Sequence, residues 1–176
     1  GRLWVSEEGN DRFQLFEANG TWVGAYGGPG TDPGFFGSAA GIAVSDDGEV
    51  FVSDATGLYV NRFVPCGSEP TPTSSPSAVP TPCVAFAFEI GLPEEVFGGV
   101  EGVDLDAAGN IYVADTANKR IKVYSPQGAF LRQFVTGTNP HQIVINRSLG
   151  RIYVVELSNY LTQRVGVYDL MGTAIS

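Results

Sequence analysis

Along this chain short apolar runs alternate with polar turns every few residues, and no segment sustains the 3.6-residue period of an amphipathic helix. From Gly102, GVDLD places Val103 and Leu105 on one side of a strand, AAGN reads as a turn, IYVAD as a second strand and TANK as a loop. RIKVYS is then a third strand, PQG a turn and AFLRQFV a fourth. Neighbouring strands joined by such short turns pair antiparallel, so the pattern predicts a four-stranded meander.

The unit recurs. GRLWVSE from Gly1, GEVFVSD from Gly48, GNIYVAD from Gly109 and GRIYVVE from Gly150 share one pattern: Gly, any residue, an aliphatic, an aromatic, Val, a small or aliphatic residue, an acid. The aromatics Trp4, Phe51, Tyr112 and Tyr153 are 47, 61 and 41 residues apart. Setting aside about 18 residues of an insertion bounded by Cys66 and Cys83 reduces the middle spacing to about 43, the repeat length of a β-propeller blade. The expected fold is therefore all-β, a row of four-stranded antiparallel blades. The chain reads as one domain, 1–176, with repeats at about 1–39, 40–100, 101–139 and 140–176 and the insertion at 66–83.

The units resemble NHL repeats, a β-propeller family. GIAVSDDGEVFVSD (Gly41–Asp54) and GVDLDAAGNIYVADTANKRIKVYSPQGAFLRQF (Gly102–Phe134) match the family's unit closely, and GGPGTDPGFFGSAAGIAV (Gly27–Val44) resembles its inter-blade connection. The family arginine five residues after the acid is present as Arg12 and Arg120, is replaced by Tyr59 in the second repeat, and is displaced to Arg164 in the fourth. The first repeat begins at its second strand and the last stops at or inside its fourth, which gives an incomplete or open array. The start at Gly1, without Met or a leader-like segment, reads as a processed or partial product.

Composition adds limits. Net charge is −9 with no basic run, which argues against a nucleic-acid partner because phosphate neutralisation has nothing to work with. No apolar run approaches the roughly 20 residues of a spanning helix.

Candidate chemistry is sparse. The acids Glu7, Asp54, Asp115 and Glu156 form either a ring of cation-binding carboxylates or, as expected here, structural groups that accept loop amides and pair with arginine: Glu7 with Arg12, Asp115 with Arg120. SDDGEVFVSD lacks the D-x-D-x-D-G spacing of a calcium loop. His141, the sole histidine, stands in NPHQIVI, and Asn139-Pro140-His141 is expected as a turn. In the lyase branch that the resemblance brings in, channel-lining histidines hold zinc; one His and two cysteines fall short of the usual set. No G-x-S-x-G motif is present. The expectation is a non-enzymatic module with no catalytic residue, cofactor or metal; the alternative is part of a lyase- or lactonase-like propeller enzyme whose channel site further blades complete.

The insertion is the most informative feature. CGSEPTPTSSPSAVPTPC encloses sixteen residues with five prolines and seven Ser/Thr. Cys66 and Cys83 could be free thiols, a metal pair or a disulfide; the absence of C-x-x-C spacing and of a nearby basic residue favours the disulfide. Such a bond implies an oxidising compartment, hence an extracellular or cell-surface address. The Pro-Ser/Thr composition is that of O-glycosylated stalks, with Ser68, Thr71, Thr73, Ser74, Ser75, Ser77 and Thr81 as acceptors. Asn19-Gly20-Thr21 and Asn146-Arg147-Ser148 are N-glycosylation sequons, at Asn19 and Asn146. The expected partners are proteins or copies of this chain, met through unpaired edge strands in a ring or fibre.

Overall fold

The computed structural model describes residues 1–66, 84–91, 97–159 and 162–175. They form four antiparallel sheets, each a meander in chain order. Sheet 1 holds β1 (Arg2–Glu7), β2 (Arg12–Glu17) and β3 (Trp22–Gly27); sheet 2 holds β4 (Ala39–Val44), β5 (Val50–Asp54), β6 (Tyr59–Pro65) and β7 (Val84–Ile90). Sheet 3 runs through β8 (Val100–Leu105), β9 (Ile111–Asp115), β10 (Arg120–Tyr124) and β11 (Phe130–Val135). Sheet 4 comprises β12 (Asn139–Asn146), β13 (Arg151–Asn159) and β14 (Thr162–Asp169). The only helix among the described residues is a 3-10 turn, Glu8–Asn10.

Three hydrophobic clusters lie between successive sheets. Phe13, Phe36, Ala39, Val50, Val52 and Phe63 join sheets 1 and 2. Phe51, Val60, Val103, Ile111 and Val113 join sheets 2 and 3, and Tyr112, Ile121, Val123, Ile143, Ile152 and Val154 join sheets 3 and 4. A blade covered on both faces has no solvent side, so β5 (VFVSD) and β9 (IYVAD) are buried at every position. Phe36 and Phe97, in the connections between blades, are 0% exposed and lie on the backbones of Gly27 and Gly91. Both glycines have positive φ, 86° and 113°, and a Cβ on either would run into the ring.

The first strands of sheets 2, 3 and 4 lie side by side at the inner edge of the array. Gly41 lies against the Glu101 carbonyl and Gly102 against the His141 carbonyl, so closely that a Cβ at either position would clash. Seryl hydroxyls of the preceding sheet also reach these strands: Ser6 Oγ of β1 donates to the Ala40 carbonyl at 2.6 Å and Ser53 Oγ of β5 to that of Glu101. The small residue before each repeated acid is thus a cross-blade donor in the first two repeats.

Two local expectations change. Asn139-Pro140-His141 is the beginning of β12 rather than a turn, because Asn139 and Pro140 pair with Leu157 and Glu156. After β14 no fourth strand forms among the described residues; the chain turns back and Ala174 bridges to Tyr168.

Candidate channel-mouth site

The inner strands carry the same irregularity at the same place. Register shifts fall between Ala39 and Ile42 in β4, Val100 and Val103 in β8, and Pro140 and Ile143 in β12. A bulge bends its strand and re-aims the side chains on it. The residues within these bulges are Ala40-Gly41, Glu101-Gly102 and His141-Gln142. Ala40, Glu101, His141 and Gln142, with Glu8 and Ala55, line a cavity of about 300 Å³. His141 Nδ1 is hydrogen-bonded to Glu101 Oε2, and both side chains are only partly exposed. The result is an imidazole–carboxylate dyad beside a second acid and an amide, a set able to orient a polar ligand or pass a proton. Sequence reasoning singled out His141 but not Glu101, Glu8 or Gln142. No spacing marks those residues; the recurrent bulge assembles them.

The repeated acids have a different role. Asp115, 0% exposed, receives the Gly98 amide at 2.7 Å, Asn118 Nδ2 at 2.9 Å and Arg120 Nε at 2.6 Å. Glu156, also 0% exposed, receives the Thr138 amide, Arg164 Nη2 at 2.8 Å and the Tyr168 hydroxyl. Burial raises its carboxyl's proton affinity, but the Tyr168, Arg164 and Thr138 donors outweigh that and hold it below its usual range. Burial, then the Glu156 carboxylate, pushes Tyr168 up to about 12. Glu7 is drawn down by Arg12, at 2.6 Å, against partial desolvation, with Asn10 and Gln14 adding to the effect. Asp11, Leu58 and Lys119, each just before a third strand, share φ values of 50°, 61° and 53°. That left-handed step begins the third strand, whose first residue is Arg12, Tyr59 or Arg120.

On the opposite end of the sheets a groove of about 320 Å³ runs between the β4–β5 and β8–β9 turns, with Asp46, Asp47, Glu49, Arg62, Asp106 and Arg147 among its lining residues. Both its arginines are paired within it: Arg62 with Glu49, and Arg147 with Asp46 at 2.7 Å.

Asn19 stands in the exposed β2–β3 turn, where its Oδ1 receives the Thr21 amide at 3.0 Å. Asn146 closes β12, its Oδ1 receiving Ser148 Oγ and the Leu149 amide. Cys66 follows β6; Cys83 and the acceptors Ser68, Thr71, Thr73, Ser74, Ser75, Ser77 and Thr81 lie outside the described residues. The strands leading to and from that segment meet, with Pro65 and Val84 as Cα partners. Among the described residues no group of three or more His, Cys, Asp or Glu is placed to hold a metal ion, and no helix is long and apolar enough to cross a membrane.

The NHL repeat profile matches residues 97–124, from the connection into β8 through β10. The human NHL repeat-containing protein 3 is 25% identical over 135 residues, covering 76% of this chain and 35% of that protein. Two solved structures share the fold over 99% of this chain. Hydrazine synthase of Kuenenia stuttgartiensis has a TM-score of 0.69 at 16% identity, and virginiamycin B lyase from Staphylococcus aureus 0.66 at 17%. The chain spans 45% and 51% of those structures, about half of each. The repeat at its third sheet, the meandering blades on either side and these likenesses agree: the chain carries an NHL repeat within a β-propeller type of fold.

Proposed function

We propose that the chain is an extracytoplasmic, non-enzymatic interaction module that associates with a second copy of itself through its outer sheet faces. The observation that carries the reading is apolar surface on both flanking sheets. On sheet 1, Leu3, Phe16 and Trp22 form one cross-strand row, with Leu3 57% and Trp22 58% exposed. On sheet 4, Val144, Tyr153 and Val167 form another beside Val155–Val165, with Val144 61% and Val165 60% exposed. Rows of this kind are covered at the three internal interfaces, and a second arc of the same fold offers a matching sheet face.

Light scattering on the eluting protein across a concentration series tests this. Dimers or larger species that dissociate in Trp22→Ser and Val165→Lys variants are expected; a monomer at every concentration overturns the reading.

The compartment rests on the cysteine-bounded insertion. Adjacent strand ends at Pro65 and Val84 favour a Cys66–Cys83 disulfide, since paired strands approach within the Cα separation such a bond requires. Intact mass should rise by two hydrogens on reduction and fall on deglycosylation. Two free thiols and an unmodified mass reject the extracytoplasmic assignment.

A second reading, part of a channel-site enzyme, is favoured by the bulge-borne His141–Glu101 dyad. Its mark would be a tightly held zinc ion that is lost in His141→Ala.

A further inference from the structure

The repeated acids of sheets 1, 3 and 4 each face a guanidinium, Arg12, Arg120 or Arg164. Sheet 2 has none. Its acid, Asp54, is 0% exposed and receives four backbone amides: Gly37 at 2.7 Å, Ser38 at 3.0 Å, Thr56 at 3.0 Å and Gly57 at 2.7 Å. At the arginine position stands Tyr59, the Cα partner of Asp54, whose hydroxyl is bonded to that carboxylate. Two residues along the same face of β6 is Asn61, opposite Glu89 of β7. The corresponding pair in sheet 3 is Lys122 and Gln133. Sheet 3 therefore sets one acid against two cations (Asp115 with Arg120 and Lys122), whereas sheet 2 sets two acids, Asp54 and Glu89, against none.

Asn61 supplies the second, independent observation. It is 0% exposed, its Nδ2 donates to the Phe35 carbonyl at 3.3 Å, and its Oδ1 has no partner. A buried carbonyl oxygen without a donor keeps the full cost of its desolvation. Glu89 is the Cα partner of Asn61 across the strand pair, so the two side chains share one face. Burial and then the charge of Asp54 push the Glu89 carboxyl up.

We propose that sheet 2 holds a hard divalent cation of the calcium class, coordinated by the Glu89 carboxylate and Asn61 Oδ1, in place of the guanidinium of the other blades. Carboxylate and amide oxygens are the donors calcium takes, and the set offers no nitrogen or thiolate for zinc. Asp54, occupied by four amides, contributes charge rather than a ligand. Glu89 is partly exposed, so the cation enters from solvent and keeps waters in its remaining positions.

Calcium and terbium binding to the full chain tests the site, by calorimetry with calcium and by tyrosine-sensitised terbium emission near Tyr59. Expected are terbium emission displaced by calcium, affinity weakened at least about tenfold in Glu89→Gln, and a calcium-dependent rise in Tm. Tyr59→Arg should abolish both binding and the Tm response, because it restores the guanidinium within the chain. Circular dichroism confirms that each variant is folded, and Glu89→Gln, altering a partly exposed side chain, keeps the test open should Tyr59→Arg fail to fold. Absence of binding overturns the proposal. So does binding that survives Glu89→Gln but is lost in Glu101→Gln, which would put the cation at the channel mouth. Neither result bears on self-association, which is read from particle mass.

Discussion

Asp115 and Glu7 hold equivalent places in their repeats, yet burial separates them. Asp115 has no exposed surface and satisfies an amide, an asparagine and an arginine together, so Asp115→Ala leaves Arg120 and the Gly98 amide without their acceptor. A loss of about 3 kcal/mol is expected by denaturant titration, the range for breaking a buried pair from one side. Arg12→Ala, at an exposed pair, should cost far less. Glu156 allows a pH test. Because its folded proton affinity is lowered, its contribution is complete above the ordinary carboxyl value of 4.5 and is lost as pH falls through the depressed value. The midpoint denaturant concentration of the native chain should fall on acidification below about 4.5, and Glu156→Gln should be less stable at neutral pH with a shallower acid limb. The acid–arginine spacing was legible because both partners are local. Glu101, Asn61 and Glu89 were not, because their neighbours are set by cross-strand register and inter-blade contact.

At the scale of the element, turn chemistry and two-residue alternation were enough to place most strands, since each meander is built from neighbours in sequence. The inner-strand bulges escaped notice because a bulge adds one residue without a compositional mark. Gly41 and Gly102, whose sequence role could have been a turn, instead let adjacent inner strands touch. Gly102→Ala should force β8 from β12, costing about 1–3 kcal/mol as overpacking does and weakening the His141–Glu101 contact. A shifted His141 ring resonance in the NMR spectrum of that variant, alongside a lower Tm, is the expected result. The same substitution at exposed Gly20, which has open space but a φ of 84°, would perturb only its turn.

Across the whole molecule the sheets behave as a one-dimensional array in which each blade is stabilised by its neighbours. One side chain departs from that scheme. Arg147, in the β12–β13 turn of sheet 4, donates Nε to the Leu105 carbonyl of sheet 3 at 3.1 Å and Nη2 to the Val44 carbonyl of sheet 2 at 3.1 Å, while Nη1 meets Asp46 at 2.7 Å. It couples sheets 2 and 4, which share no hydrophobic cluster. Neutralising Asp46, 88% exposed in its side chain, should change little, because the carbonyl contacts remain. Arg147→Met keeps the aliphatic stem but removes both carbonyl ties, leaving partly buried acceptors to water. A cost of about 1–2 kcal/mol follows from the two charge-assisted bonds. Its signature is a change in cooperativity as well as in stability. If Arg147 is what makes three sheets unfold together, hydrogen exchange should show one common opening free energy in the native chain and, in Arg147→Met, sheet 4 amides opening at lower free energy than those of sheets 2 and 3. Equal losses across all three sheets would instead assign the coupling to the shared cores alone.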